Sequence, residues 1–367
     1  MRVALVHDDF IQNGGAEKLF VSIAQIWPKA PIFTSCFDKK VLKNLGLSDR
    51  RIETSFIQKL PLKKILYRFY FPLYPLAFES FNFDDFDIIL SSTTRFAKGI
   101  ITKPPACHIS YINSPPRFLW ETKEYFEQER VPNFLATALS PLFSFLRIWD
   151  QVSSERIDFW VANSKNVAAR IKKRYQKEAK VIYPGIDLSR FRPSSKDEGF
   201  FLIVSRLVGW KRVKIAIEAF NKLNLPLFII GDGPSRSMLE KEANSNIKFL
   251  GRLGDGEIDK YFQKCKALIL TQEEDFGLTI LEANACGKPV ISLKAGGACE
   301  LIEEGKNGMF FFPQESKALI KVIRDFERRR FSSVDCVSKA RLFSKEIFQN
   351  NLKEYVEKTW KSYKSKI

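Results

Sequence analysis

The chain is predicted to fold as two α/β domains, each a doubly wound, mostly parallel sheet, facing each other across a cleft. Three features predict this. Short apolar, β-branched segments alternate with amphipathic helical segments along most of the 367 residues. A glycine turn, Asn13-Gly14-Gly15, separates the first strand from the first helix, as at the opening of an α/β unit. A polar break rich in Pro, Ser and Gly, residues 183–199, divides the alternation into halves. One core needs only about 100–200 residues, so length also favours two domains.

In the first half, strands are expected at residues 2–6, 31–34, 87–91, 108–111, 159–163 and 180–183, with the first helix ending near Ile26. In the second half, strands are expected at 200–204, 227–230, 247–250, 267–270 and 289–292. Helices are expected at 213–223, 235–243, 256–265 and 279–286. The basic, amphipathic tail, residues 344–366, reads as one long helix. Domain limits follow at 1–187 and 188–343, with 344–367 as the final helix.

Composition narrows the function classes. Apolar residues make up 45% and charged residues 28%, which suits a packed globular chain rather than a disordered one. The most apolar windows, 65–78 and 134–149, are broken by Pro72, Pro75 and Pro141 and by Arg68 and Arg147, so no membrane span is expected. Six cysteines are scattered without a C-x-x-C pair, which argues against a zinc knuckle or a disulfide framework. The start, Met1-Arg2-Val3-Ala4-Leu5-Val6, lacks the pattern of a secretory leader, so a reducing, cytoplasmic setting is expected. Lys+Arg exceed Asp+Glu by 59 − 42 = +17, which suits either an anionic partner or simply a lysine-rich surface.

Ligands of open parallel sheets bind beyond the carboxyl ends of strands, so the loops there hold the candidates. Gly14-Gly15 offers backbone N–H groups to a phosphate, or is a plain tight turn; the full G-x-G-x-x-G fingerprint is absent, which disfavours a nicotinamide cofactor. Arg206 and Lys211 follow the first strand of the second half. They are placed to neutralise a diphosphate leaving group, or are two surface cations. The segment Glu273-Glu274-Asp275-Phe276-Gly277-Leu278-Thr279-Ile280-Leu281-Glu282 says most. Glu274 in a loop can accept from sugar hydroxyls, and Glu282 on a helix can accept both hydroxyls of a ribose. The backbone N–H groups of Gly277 and Leu278 near the helix start favour phosphate. The competing reading is an acidic capping region with one exposed glutamate. Asp85-Phe86-Asp87 resembles a D-x-D carboxylate pair, but Asp87 runs straight into a strand and is assigned to its start. With only His7 and His108, neither a metal-ligand pair nor a Ser/His/Asp triad is supported.

Together these segments resemble the retaining glycosyltransferases of family 4, with the GT-B fold. The order of Gly14-Gly15, Arg206, Lys211 and Glu274-x7-Glu282 carries the likeness. Tyr111-Ile112-Asn113-Ser114-Pro115-Pro116-Arg117 and Val161-Ala162-Asn163-Ser164 add to it. Within the family the chain is most similar to bacterial enzymes of surface-polysaccharide synthesis, often mannosyltransferases using GDP-mannose. The resemblance implies transfer of a hexose from a nucleotide-sugar donor to a lipid-linked or polysaccharide acceptor, with no metal and no cofactor. Arg206 and Lys211 would bind the donor diphosphate, Glu274 the donor sugar and Glu282 the ribose. Gly251, Arg252 and Leu253 would meet the base. Gly15, Phe276, Gly277, Leu278 and Thr279 would complete the donor site. The final helix would cross back to the first domain.

Two positions depart from the family: Ser205, where Gly is common, and Asn113. Asn113 stands where relatives often carry His in a Tyr-x-His-Thr-Pro pattern; Asn hydrogen-bonds but takes no proton at neutral pH. Asn113 is thus kept as a candidate catalytic residue, and a catalytically silent scaffold or regulator is the alternative. A nucleic-acid binder rests on net charge alone; no nucleic-acid partner is expected, because the aromatics fall in apolar strands and helices rather than in a basic stripe. Residues 58–78 mix Lys59, Lys63, Lys64 and Arg68 with Tyr67, Phe69, Tyr70, Phe71 and Tyr74. That pattern suits an anionic membrane surface, and so a peripheral place on its inner face, or an ordinary helix with snorkelling lysines.

Overall fold

The computed structural model describes residues 1–62, 69–128 and 131–365. The chain divides into two compact units. One comprises Met1–Glu124, Val131–Tyr183 and Phe348–Ile367; the other comprises Tyr125–Arg130 and Pro184–Ile347.

In the first unit the strands are β1 (Val3–His7), β2 (Ile32–Thr34), β3 (Ile52–Thr54), β4 (Ile88–Thr93), β5 (Cys107–Ile112), β6 (Phe159–Ala162) and β7 (Lys180–Val181). Among the described residues they form one sheet in the order β3-β2-β1-β4-β5-β6-β7. The pairs are parallel, with β1 in register against β4 from Val3↔Ile88 to His7↔Ser92. The order reverses between β1 and β4, so the loops after these two strands flank the switch point where doubly wound sheets take ligands. Helices α1 (Gly15–Ile26), α2 (Tyr74–Glu79) and α3 (Asn133–Ser154) belong to this unit. In α1, Leu19, Phe20, Ile23 and Ala24 recur at helical spacing and enter the core with Leu5, Ile88 and Leu90.

The second unit contains β8 (Phe201–Val204), β9 (Leu227–Ile230), β10 (Ile247–Gly251), β11 (Ala267–Leu270), β12 (Val290–Leu293) and β13 (Gly308–Phe311), in the order β10-β9-β8-β11-β12-β13. The switch lies between β8 and β11, which pair in parallel. Two helices matter here, α4 (Val213–Leu223) and α5 (Leu278–Ala285).

Helix α6 (Lys345–Lys364) begins in the second unit, where Lys345 Nζ meets Asp187 at 3.1 Å. From Phe348 on it belongs to the first. Phe348, Leu352 and Val356 repeat every four residues and sit in the core around Val3, Leu5 and Tyr111. Burial of such side chains contributes about 1.5–3 kcal/mol each.

Two strands escape the sequence reading. β3 is short and mixed, Ile-Glu-Thr, and half-buried at a sheet edge, so it shows no apolar run. β13 carries Gly308 and Met309 in place of β-branched residues. Residues 180–183 were expected as a strand but pair in the ladder only at Lys180–Val181, because the partner strand β6 ends at Ala162, opposite Val181. The apolar window around residue 140 is helix α3, which accommodates Pro141 in its exposed first half.

Candidate functional site

β8 and β11 lie side by side, and the loops at their carboxyl ends meet. After β8 the chain makes a short 3-10 turn, Gly209–Lys211, and Arg212 takes a left-handed conformation (φ 51°) before α4. Lys211 is thereby turned across Trp210, with Nζ 4.2 Å from the ring centre. Nζ reaches Oε1 of Glu274 at 2.6 Å. The main chain of Lys211 is fixed as well, since its carbonyl accepts from Thr271 Oγ1 at 3.0 Å. Gln314 Nε2 in turn donates to the Thr271 carbonyl at 2.8 Å.

Glu274 sits in the loop between β11 and α5. Its Oε1 also accepts from Nε2 of the buried Gln272. Its carbonyl accepts from Gly297 N–H at 2.8 Å, and Glu274 bridges Gly296 in parallel register. Gly296 is therefore more than a turn residue. Its φ is 62°, and a Cβ there would run into the Glu274 carbonyl oxygen. Gly277 precedes α5 with φ 106°, which turns the chain so that α5 starts directly behind Phe276. The buried Phe276 packs against Phe343, ring centres 6.0 Å apart.

The remaining residues expected at the donor follow. Leu278 and Thr279 form the first turn of α5, and Glu282 lies half-buried one turn on. Arg190, bonded to Asp259 at 3.0 Å, faces this carboxylate. Burial lowers its pKa, but Asp259, Asp255 and Glu282 outweigh that and hold it above its ordinary value. Arg206 is exposed just past β8. Gly251, the last residue of β10, accepts from Gly231 N–H at 2.8 Å; Arg252 projects to solvent 3.9 Å from Asp232, and Leu253 is half-buried. So Lys211 and Glu274 are in direct contact and the Gly277–Glu282 segment continues from them. Gly251, Arg252 and Leu253 lie two strands from β8.

Gly15 and Asn113 belong to the first unit. Gly15 opens α1, capped by Gly14, whose N–H donates to Oε2 of Glu17 at 2.8 Å. Asn113 follows β5 and is buried. Its Nδ2 donates to Ser92 Oγ at 3.1 Å, and its carbonyl accepts from Asn163 Nδ2 at 2.8 Å. His108 is a buried strand residue bonded to Ser91 Oγ at 2.8 Å, and burial pushes its pKa down to about 4, so it is neutral. Asp87 bonds the N–H of Arg2 at 2.6 Å, at the start of β4.

Sequence reasoning missed a buried acidic group after β1. Asp8 accepts from the N–H groups of Thr94, Phe96 and Ala97 and so shapes the loop after β4. Asp9 pairs with Arg95, and Glu17 lies beside them. Asp8 and Asp9 sit side by side after His7 and read as ordinary loop polarity, so no local pattern marks them. Gln272 was also missed, since a lone amide beside three acidic residues has no pattern. Among the described residues no group of three or more His, Cys, Asp and Glu is arranged to hold a metal ion.

Comparison with known proteins places this geometry. Residues 186–343 match the family described as glycosyl transferases group 1. The chain is 30% identical over 168 residues to an uncharacterized glycosyltransferase of Methanocaldococcus jannaschii, covering 44% of this chain and 48% of that protein. It is 30% identical over 190 residues to O-antigen chain mannosyltransferase C of Escherichia coli, covering 46% and 51%. The chain thus spans about half the length of the curated relatives it matches. Among solved structures, Anabaena HepE in complex with UDP aligns over 98% of this chain and 100% of that one, with a TM-score of 0.70 at 20% identity. Sucrose-phosphate synthase from Thermosynechococcus elongatus aligns over 99% and 100%, with a TM-score of 0.74 at 15% identity. The two parallel-sheet units are those of the GT-B fold. The sequence likeness to the group 1 glycosyl transferases thus lies in residues 186–343, the greater part of the second unit.

Proposed function

We propose that the chain is a retaining, metal-independent hexosyltransferase. It moves a sugar, with mannose from GDP-mannose the favoured donor, to a lipid-linked or polysaccharide acceptor in cell-surface glycan synthesis. The contact between Lys211 and Glu274 carries the reading: a cation and a carboxylate from adjacent strand-end loops, 2.6 Å apart, at the switch point of a parallel sheet. Arg206 and Lys211 neutralise the departing diphosphate, the work a metal does elsewhere. Glu274 accepts from donor-sugar hydroxyls and Glu282 from the ribose. Gly15, Gly251, Arg252, Leu253, Phe276, Gly277, Leu278 and Thr279 complete the donor contacts. Asn113 positions rather than transfers a proton. The leaving phosphate helps take the proton of the acceptor hydroxyl, which attacks from the same face. Likeness to the E. coli O-antigen enzyme supports mannose; UDP in the HepE structure makes uridine the rival base.

A panel of GDP, UDP, ADP and their hexose conjugates, titrated with and without EDTA, tests this. Stabilisation by the guanosine members alone, unaffected by EDTA and lost in Arg206→Ala, is expected. No stabilisation by any nucleotide overturns the reading in favour of a silent scaffold.

We further propose that the acceptor is met at the anionic inner face of the membrane, from the cytoplasm. No helix among the described residues is long and apolar enough to cross a membrane. The first unit nevertheless exposes an apolar surface. Phe134, Phe145, Ile148 and Val152 of α3 face outward, while Phe143, Leu146 and Trp149 face the core. Phe71 joins α3 through Phe143, ring centres 5.5 Å apart, and the nearby Phe69, Leu73 and Leu76 are also exposed. Amphipathic helices of this kind seat in the headgroup boundary. Of the basic–aromatic segment, Lys63, Lys64, Tyr67 and Arg68 lie outside the described residues. Co-sedimentation with anionic vesicles, reduced in Phe145→Ser/Ile148→Ser, is expected; equal weak binding to neutral and anionic vesicles overturns this part.

A further inference from the structure

Two donors converge on one oxygen of Glu274: Lys211 Nζ at 2.6 Å and the side-chain amide of Gln272. Among the described residues neither bonds the other oxygen, Oε2. The two donors differ in what they can do when an anion arrives. Lys211 is a flexible, half-buried cation that a diphosphate competes for. Gln272 carries no net charge, is only 4% exposed, and starts its loop one residue after Thr271, whose hydroxyl and carbonyl are both bonded. It has no reason to follow the anion.

We propose that Gln272 is a positioning residue for Glu274. It keeps Oε1 occupied when Lys211 turns to the donor diphosphate, and so presents Oε2 to a hydroxyl of the transferred sugar. The proposal rests on the donor-site reading above and adds to it a residue that acts only through Glu274. It also assigns the lysine–glutamate pair a second role: the ion pair belongs to the donor-free site and loosens on binding, whereas the amide contact persists.

The test has two arms. In the donor-free protein, the side-chain carboxyl carbon of Glu274 is observed by NMR in the unmodified chain and in Gln272→Leu. Losing the amide partner changes what surrounds the carboxylate, so a displaced resonance is expected in the variant. An unchanged resonance overturns the proposal whatever the protein binds. In the second arm, a nucleoside diphosphate and its hexose conjugate are titrated into the unmodified chain, Gln272→Leu, Glu274→Ala and the double variant. Gln272→Leu is expected to bind the diphosphate within about twofold of the unmodified chain and to lose affinity for the conjugate by about 10- to 100-fold, the value of one hydrogen bond to a charged group. In the Glu274→Ala background the same substitution is expected to change nothing, the mark of a residue acting through another. Equal weakening for both ligands, or additive losses in the double variant, overturns the role of Gln272 alone. Absence of nucleotide binding by the unmodified chain overturns the donor-site reading, and the sugar-placing role with it, while the carboxyl resonance still reports whether the amide holds Glu274.

Discussion

Nζ of Lys211 and Oε1 of Glu274 are 2.6 Å apart although their residues are 63 positions apart in sequence. The contact joins the loops that follow β8 and β11, and it is half-buried rather than exposed. Lys211→Ala removes the cation proposed to bind the diphosphate and leaves Glu274 Oε1 held by Gln272. Affinity for a nucleoside diphosphate is expected to fall by about 1.5–3 kcal/mol, the worth of a charge-assisted hydrogen bond. Isothermal titration reads this; unchanged affinity would remove Lys211 from the donor site.

Glu282 and Glu274 should separate cleanly. Glu282→Ala is expected to weaken binding of nucleotide and nucleotide-sugar alike, because a ribose is common to both. Glu274→Ala is expected to leave nucleotide affinity nearly intact and to lower turnover. The control is built in: Arg190, which faces Glu282, retains Asp259 at 3.0 Å, so the Glu282 variant should keep its fold. Titration with free nucleotide, alongside circular dichroism, distinguishes loss of a contact from loss of structure.

Much of this was legible in the sequence, for a physical reason. Buried parallel strands are short β-branched runs, and α4 at Val213–Leu223 has the expected bounds because its apolar face repeats strictly at helical spacing. The Glu274–Glu282 stretch stood out because an acidic loop leads through Gly277 straight into a helix, a pattern local to the sequence. What escaped were contacts made by distance in space. Gln272 stands out only because its amide shares Glu274 Oε1 with Lys211, which the loop after β8 brings in. Asp8 matters only because β1 pairs with β4 and delivers the loop at Thr94–Ala97 to its carboxylate. No local pattern marks either residue.

Gly296 offers a test of how tightly the Glu274 loop is held. Its φ of 62° disfavours any side chain, and a Cβ would strike the Glu274 carbonyl. Gly296→Ala is expected to cost about 1–3 kcal/mol in stability. It should also displace Glu274 and abolish any preference for a nucleotide-sugar over the free nucleotide. Urea denaturation and paired titrations check the two effects, and a stable variant with intact sugar preference would show that the loop has room.

The first unit rests on a buried ion pair that predicts a larger effect. Lys98 Nζ lies 2.6 Å from Asp150 Oδ1, both groups sealed from solvent. Oδ2 of Asp150 accepts from Tyr175 Oη at 2.7 Å and Trp120 Nε1 at 2.8 Å. Lys98→Met leaves that carboxylate without its counter-charge and is expected to destabilise the unit by about 3–5 kcal/mol. Asp150→Asn in the same chain should recover part of the loss, since the amide oxygen still accepts from Tyr175 and Trp120. Chemical denaturation of the single and double variants measures both; a single variant as stable as the unmodified chain would refute the assignment.

Glu17 ties stability to pH. Its carboxyl is buried in α1, and burial, helped by the charge of Asp9, pushes its pKa up to about 7; the bonds from the N–H groups of Glu17 and Gly14 and the nearby Arg95 pull the other way. The folded chain therefore keeps a proton that the unfolded chain releases near pH 4.5. Between these values the folded state binds more protons, so this group's contribution to stability is fully present below about 4.5 and is lost as pH rises through about 7. The loss amounts to about 3 kcal/mol by the usual conversion. Glu17→Gln cannot ionise, yet its amide oxygen still accepts from Gly14 N–H. The variant is expected to match the unmodified chain near pH 5 and to exceed it by up to about 3 kcal/mol near pH 8. Urea denaturation at the two pH values decides this, and parallel stabilities would mean that Glu17 is ionised in the folded chain throughout.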